Sequence, residues 1–368
     1  MAANPFTPGF GTSPRILVGR EEVLGEIGAA FGSVLDPHRT TWLRAPRGSG
    51  KTVLLNEIQD LAAHAGWLVV QEDAQSPGSL AERVARRLLT QADERAQPRR
   101  RVQAAGITTP VVGASIEFAA GERGSPLLRD AIARVLDRRG AAAAGVLVTV
   151  DEIHTAPRSE VAHLGNAIQH LIREDRPVAI VVAGLPVADV DDLATFLRRC
   201  TKPRIDELSA SAVRVGLQRT AALEGGGFSS AALDLAVAAT AGYPYMLQLV
   251  GYWSWRSSGD GDIDEAAVRD ALPRCERELL EGVVGLRELA VSPAAQRYLE
   301  AMAVDEAASS TSEVAARLGL SITHAGVYRR RLIDAGAIQA AGHGYVTFSI
   351  PGHRALVRLR RLHEVAVA

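Results

Sequence analysis

Arg44-Ala45-Pro46-Arg47-Gly48-Ser49-Gly50-Lys51-Thr52-Val53-Leu54-Leu55 closes a strand-like run, Thr40 to Arg44, and opens a helix-like run, Val53 to Ala63. A small-residue turn between a strand and a helix N-terminus lets consecutive backbone N–H groups curl around a phosphate. The free amides and dipole at the helix start add positive potential there. In that geometry Arg47, Gly48, Ser49, Gly50, Lys51, Thr52 and Val53 form the cradle. The Lys51 ammonium reaches the β- and γ-phosphates, and the Thr52 hydroxyl completes a Mg²⁺ shell. The full pattern G-x-x-x-x-G-K-[ST] asks for glycine at position 45, where this chain has Ala45. Alanine costs little there unless that residue must take a positive φ. The competing reading is a Gly-rich turn that merely starts a helix.

Composition bears on the same residue. Only two lysines occur, Lys51 and Lys202, among 41 Lys plus Arg. Where the chain otherwise prefers arginine, lysine stands at the position that needs a compact ammonium in a tight phosphate cradle. The 368 residues predict two or three domains, and 47% apolar residues with a net charge of −1 describe a soluble globular chain. Cys200 and Cys275 are far apart and in no metal-like spacing, so neither a disulfide framework nor a zinc site is expected. Met1 to Pro14 has no apolar signal region and reads as a flexible tail. The longest apolar run, Ala141 to Val150, is half a membrane span, so the expected location is cytoplasmic, with no membrane partner.

Along the chain, an amphipathic helix is predicted through about Val34. The Thr40–Arg44 strand, the loop and its helix follow, then a buried strand from Trp67 to Gln71 and a helix from Leu80 to Ala92. In the segment from Pro98 to Gly124 the Arg99-Arg100-Arg101 run reads as a solvated face, and Val111 to Phe118 suggests an extra strand or hairpin. Helices at Leu127 to Arg139 and Val161 to Glu174 alternate with strands at Gly145 to Val150 and Pro177 to Gly184. This is the α/β pattern of a parallel sheet with helices on both faces. After Ile205 only helices are expected, from Ser209 to about Leu289, and past Ser292 the pattern changes again. The predicted domains are thus 1–14, 15–206, 207–289 and 290–368.

A phosphate loop alone binds nucleotide; hydrolysis also needs a metal-side group and something to orient water. Asp151, at the carboxyl end of the Val146 to Val150 strand, is placed to hold Mg²⁺, and Glu152 to polarise the attacking water. The plain alternative is that both acids cap the next helix. His154 is more simply structural and is given no role.

Together, Val18-Gly19-Arg20-Glu21-Glu22, Arg47-Gly48-Ser49-Gly50-Lys51-Thr52, Val150-Asp151-Glu152-Ile153-His154, Ala183-Gly184-Leu185-Pro186 and Gly242-Tyr243-Pro244-Tyr245 resemble an AAA-type P-loop ATPase. More narrowly they resemble the bacterial ATP-binding protein group between origin-recognition-like ATPases and STAND signalling NTPases. The resemblance spans roughly residues 15 to 290. It implies ATP and Mg²⁺ as cofactors, with Val18, Gly19 and Arg20 against adenine and ribose. It also implies a helical lid that closes on the nucleotide through Gly242 and Pro244. Phe196-Leu197-Arg198-Arg199 sits where related proteins carry an arginine that reaches a neighbour's γ-phosphate; by itself an Arg pair on a helix is solvated charge. One departure is plain. At the end of the fourth strand many such ATPases carry Asn, Ser or Thr to position water, whereas this chain has Ala183-Gly184, which favours slow hydrolysis.

Helices are predicted at Pro293 to Val304, Thr311 to Leu318 and Ile322 to Ala335, then a hairpin over Gln339 to Ile350. That layout resembles a winged helix-turn-helix. From Ser321 to His363 there are seven arginines and one acid, Asp334. Ser321, Thr323, His324, Arg329, Arg330 and Arg331 are therefore the candidate contacts to double-stranded DNA. A winged helix used only for protein contacts is the alternative.

The expected protein is an ATP-binding, slowly hydrolysing switch, with Lys51 and Glu152 catalytic and Thr52 and Asp151 on the metal. Arg198 or Arg199 would come from a neighbour in an ATP-dependent homo-oligomer. Two other readings stay open: a DNA-binding regulator on a nucleotide-binding scaffold, and a loader or transposition-type ATPase with a protein partner.

Overall fold

The computed structural model describes residues 3–9, 11–96, 124–139, 144–185, 195–259, 261–284 and 292–367. The strand or hairpin expected over Val111 to Phe118, the Arg99-Arg100-Arg101 run, Pro186 and the boundary near residue 290 lie outside them. The chain forms two compact units. One is Glu22–Ala45 with Leu54–Arg204; the other is Met1–Glu21, Pro46–Val53 and Ile205–Ala368.

The first unit is a parallel sheet. In chain order it runs α1 (Glu21–Ala30), β1 (Thr40–Arg44), α2 (Lys51–His64), β2 (Trp67–Asp73), α3 (Leu80–Ala96), α4 (Gly124–Arg139), β3 (Gly145–Asp151), α5 (Arg158–Arg173), β4 (Val178–Gly184) and α6 (Thr195–Arg199). The strand order is β1-β4-β3-β2, every pair parallel. Past β1 a single bridge continues the sheet, with the Trp42 N–H donating to Thr201 O and the Thr201 N–H to Thr40 O, both at 2.8 Å.

Alternation divides the strand residues between two apolar layers. Trp42, Leu68, Val70, Val146, Val148, Val150, Val178, Ile180 and Val182 pack with α3, α4 and α5 in one cluster. The intervening Leu43, Trp67, Leu147, Ala179 and Val181 are equally buried on the other face. There the Trp67 indole N–H donates to Phe31 O just past α1, and Gln59 of α2 donates to the Thr149 hydroxyl. Strands without a solvated face are what crossover helices on both sides produce. The first helix is shorter than predicted: it ends at Ala30, followed by a turn through Gly32, and leaves Val34 and Leu35 exposed.

The second unit is mainly helical. It contains α7 (Ala210–Ala222), β5 (Gly227–Phe228), α8 (Ser230–Thr240), α9 (Pro244–Ser258), β6 (Asp262–Ile263) and α10 (Glu265–Val284). Then come α11 (Pro293–Ala303), β7 (Ser309–Ser310), α12 (Thr311–Leu318), α13 (Ile322–Asp334), β8 (Ile338–Ala340), β9 (Tyr345–Phe348) and α14 (His353–Val367). Serine hydroxyls start four of these helices by accepting a backbone N–H three residues on, at Ser209, Ser229, Ser292 and Ser321.

Two expectations are corrected here. The Ser209 to Leu289 stretch is not helix alone, because β5 and β6 form a short parallel pair. Nor is residue 3 to 7 a loose tail. Phe6 is only 2% exposed, Asn4 donates to Tyr252 O, and the Thr7 N–H donates to Gln248. A hydrophobic anchor in a Pro- and Gly-rich segment is not visible as periodicity, since one residue has no period.

The carboxyl-terminal elements share one apolar cluster with α7 to α10, from Phe6 through Leu356. β8 and β9 form an antiparallel hairpin, and β9 also pairs with β7. α14, which the sequence reading did not anticipate, is fastened by charge: Arg360 meets Glu276 of α10 at 3.2 Å and Glu300 of α11 at 2.7 Å. No helix among the described residues is long and apolar enough to cross a membrane.

Candidate nucleotide site

The loop is built by backbone conformation. Gly48 and Gly50 take φ of 73° and 86°, left-handed values that favour glycine, and α2 begins at Lys51 directly afterwards. Ala45 has no positive φ, so the departure from the full motif carries no strain. Lys51 and Ser49 are each 6% exposed, and the Lys51 ammonium donates to Pro46 O at 2.9 Å, arching back over the loop. A carbonyl is a weaker acceptor for an ammonium than a phosphate oxygen, which makes a charge-assisted bond.

Three further segments of the same unit meet this loop. Arg20, buried to 6% exposure, reaches Ser49 O at 3.4 Å. Burial pushes its guanidinium below its usual range, offset in part by Asp206, Glu207 and Glu21. Gly19 takes a φ of 66° and Val18 packs in the lid core, where a Cβ on Gly216 would crowd it. Gly242, at φ 74°, accepts the Leu208 N–H at 2.7 Å and sets up α9, which starts at Pro244.

The residue between them is the unexpected one. The Tyr243 hydroxyl donates to Arg47 O, and the Tyr245 N–H donates to Gly48 O at 3.3 Å. A Cβ on Gly48 would overlap that hydroxyl and come within 2.6 Å of the ring carbon bearing it. Gly48 is therefore small for the lid's sake as well as for a phosphate's. Sequence reasoning quoted Tyr243 inside Gly242-Tyr243-Pro244-Tyr245 but gave it no task, since its partner lies 196 residues away.

In the sheet unit, Asp151 ends β3 and its carboxylate accepts the Glu152 N–H at 2.8 Å. Glu152 follows in a left-handed conformation, φ 51°, unusual for a residue with a side chain. Its Oε2 is shut off from solvent and has no hydrogen-bond partner, although His154 Nε2 lies 3.3 Å away at an angle unsuited to a hydrogen bond. Ile153–Thr155 is a single 3-10 turn, with the Thr155 hydroxyl donating to Glu152 O. In the register Arg44 pairs with Gly184 and Val150 with Val182, so β1, β4 and β3 end on one edge of the sheet.

The remaining candidates are elsewhere. Arg198 and Arg199 end α6, and Arg199 lines a cavity of about 220 Å³ with Thr40, Gln169, Ile172, Arg173, Phe196 and Cys200. Thr40 begins β1, so this cavity lies at the opposite edge of the sheet from Arg44. Burial pushes the Cys200 thiol up to about 12, so it stays protonated and unreactive. On α13 and its cap, Ser321, Thr323, His324, Arg330 and Arg331 are exposed. Arg329 is only half-exposed, with its Nε shielded from solvent, and its charge acts on Tyr298 of α11. Three of the seven carboxyl-terminal arginines face inward to protein acceptors. Arg354 donates to Glu306 O and Ala307 O, Arg358 to the carbonyls of Ala303, Val304 and Asp305, and Arg360 pairs with Glu276 and Glu300.

Residues 16–182 match the family described as AAA ATPase domain, and residues 281–357 match a domain of unknown function, DUF8462. No curated protein matches the chain. Among solved structures, the Walker-type ATPase PABY2304 of Pyrococcus abyssi is similar at 14% identity over 94% of this chain and 97% of its own, with a TM-score of 0.57. Cdc6p of Pyrobaculum aerophilum is similar at 14% identity over 97% of both chains, with a TM-score of 0.51. The RuvB Holliday junction branch migration motor of Thermotoga maritima aligns at 16% identity over 90% of this chain and 92% of its own, at 0.46. At such identities the likeness to the two archaeal structures concerns the fold. Residues 16–182 are thus similar to an AAA ATPase domain, and the parallel α/β sheet has the P-loop NTPase fold.

Proposed function

We propose that the chain is a Mg²⁺-dependent ATP-binding switch that hydrolyses ATP slowly and couples nucleotide state to self-association or to binding of DNA or a protein partner. The observation that carries this reading is the loop itself. Two left-handed glycines, a helix beginning at Lys51 and an ammonium turned back onto its own loop make a cradle suited to phosphate oxygens. By residue type, the Thr52 hydroxyl of the loop and, in the sheet unit, the Asp151 carboxylate are hard oxygen ligands of the kind Mg²⁺ takes alongside phosphates and water. When bound, the metal neutralises charge on the β- and γ-phosphates.

The chain's own residues do the rest. Lys51 binds the phosphates, Val18, Gly19 and Arg20 with Gly242 and Pro244 hold the nucleoside end, and Glu152 takes a proton from water. The water oxygen bonds to the γ-phosphorus as the bond from that phosphorus to the bridging oxygen breaks, releasing ADP. Arg199 stands beside Thr40, at the far end of β1 from its own loop, which supports a role for Arg198 or Arg199 only at a neighbouring copy's nucleotide.

The test is isothermal titration with ATP and Mg²⁺ together with phosphate release. Lys51→Ala is expected to abolish binding, whereas Glu152→Gln retains binding and loses hydrolysis. Unchanged ATP affinity in folded Lys51→Ala protein overturns the site.

The second reading, a DNA-binding regulator, draws support from the succession of α12, a turn, α13 and the antiparallel β8–β9 hairpin. Arg330 and Arg331 are exposed on α13. It is tested by salt-dependent duplex DNA binding with Arg330 and Arg331 replaced.

A further inference from the structure

The fourth strand ends in Ala183-Gly184, with no side chain to position water, and the geometry around Gly184 accounts for that gap. A Cβ on Gly184 would come within 3.0 Å of Ile153 Cγ2, 3.3 Å of His154 Nδ1 and 3.4 Å of the His154 amide nitrogen. Glycine at the strand end thus leaves the space that the His154 imidazole occupies. The Leu185 N–H, one residue further on, donates to His154 Nδ1 at 3.3 Å. A nitrogen that accepts carries no proton, so the neutral ring bears its proton on Nε2. That nitrogen is the one 3.3 Å from Glu152 Oε2, a carboxylate oxygen closed to solvent and otherwise without a partner. Glu152 is itself held at φ 51°, and its Oε2 lies within 3.3 Å of that nitrogen.

We propose that His154, seated over Gly184, is the positioning residue for Glu152, supplying from the turn after β3 the polar group that the end of β4 lacks. Nε2–H tethers Oε2, which leaves Oε1 as the acceptor for the water proton. A buried carboxylate oxygen left without a donor is costly, and one N–H satisfies it while removing the rotational freedom of the base. This rests on the reading of Glu152 as the residue that activates water. It goes beyond that reading in assigning the side chain that aims it.

Two measurements test it. In nucleotide-free protein, long-range proton–nitrogen NMR of ¹⁵N-histidine protein is expected to show His154 in one tautomer, Nδ1 unprotonated and Nε2 protonated. The opposite tautomer, or an averaged ring, overturns the proposal. In hydrolysis assays His154→Ala is expected to lower kcat by roughly 10- to 100-fold with ATP affinity within about threefold, the signature of lost positioning rather than lost binding. His154→Gln, whose amide N–H reaches a similar point, is expected to recover to within about fivefold of the parent. Equal kcat in His154→Ala, or failure of Gln to exceed Ala, refutes the assignment. A parent protein that binds ATP without hydrolysing it overturns the ATPase reading instead, and the tautomer still decides the geometry.

Discussion

The phosphate loop and the carboxyl-terminal helix α14 both carry basic residues, and the fold uses them in different ways. Lys51 turns its ammonium back onto the phosphate loop itself, donating to Pro46 O. Arg354, Arg358 and Arg360 are spent inside the protein, on the carbonyls of residues 303 to 307 and on Glu276 and Glu300. A short motif encodes local backbone geometry, so it survives the step to three dimensions. A tally of charge does not say what each charge faces. Of the arginines from Ser321 to His363, Arg330, Arg331 and Arg361 are exposed and Arg329 is half-exposed.

Substitutions on each side of that contrast should separate function from stability. Lys51→Ala is expected to weaken ATP binding at least ~100-fold, roughly 2.7 kcal/mol, while leaving the melting temperature of the ligand-free protein nearly unchanged. Titration calorimetry and thermal melts check the two halves; a large loss of stability would place Lys51 with the structural arginines. Arg358→Ala should behave in reverse. Losing a charged donor shared by three carbonyls is expected to cost about 2 kcal/mol of stability, read from denaturant unfolding, with ATP affinity intact.

The Arg317 and Asp305 pair supplies a smaller, pH-dependent effect. Hydrogen bonding to Arg317 holds the Asp305 carboxyl below its usual range. Because the folded value lies under the unfolded one, near 3.9, the stabilisation is present above that pH and is lost as pH falls through the folded value. Asp305→Asn should therefore cost about 0.5–1 kcal/mol at neutral pH and flatten the acid limb of the stability curve. An unchanged acid limb would mean the pair contributes nothing. Arg330→Ala with Arg331→Ala should move stability least, within about 0.5 kcal/mol. If α13 contacts DNA, the same change lowers affinity and cuts the salt slope by about 2.

Much of the sheet unit was legible because its signals are local. Short apolar runs rich in β-branched residues gave β2, β3 and β4 nearly their observed bounds, and glycine spacing gave the loop. Ala45 looked like a defect in the motif and turned out to sit in ordinary backbone. His154 was passed over because a lone histidine after an acidic pair carries no pattern. Its use follows from Gly184, 30 positions later, whose missing side chain makes the space. Phe6 and α14 were missed for a related reason: their packing partners are distant in sequence.

By itself, then, the sequence determined that a strand, a phosphate-type loop and a helix follow one another, that parallel strands alternate with helices, and that an acidic pair, Asp151 and Glu152, stands at the carboxyl end of a buried strand. These depend on backbone conformation and periodicity over a few residues. The tertiary structure alone decided that Tyr243 bonds to the Arg47 carbonyl, that His154 occupies the room left by Gly184, and which arginines remain exposed on the surface. Each of those depends on which groups long-range packing brings within about 3 Å, the scale at which a hydrogen bond forms or fails.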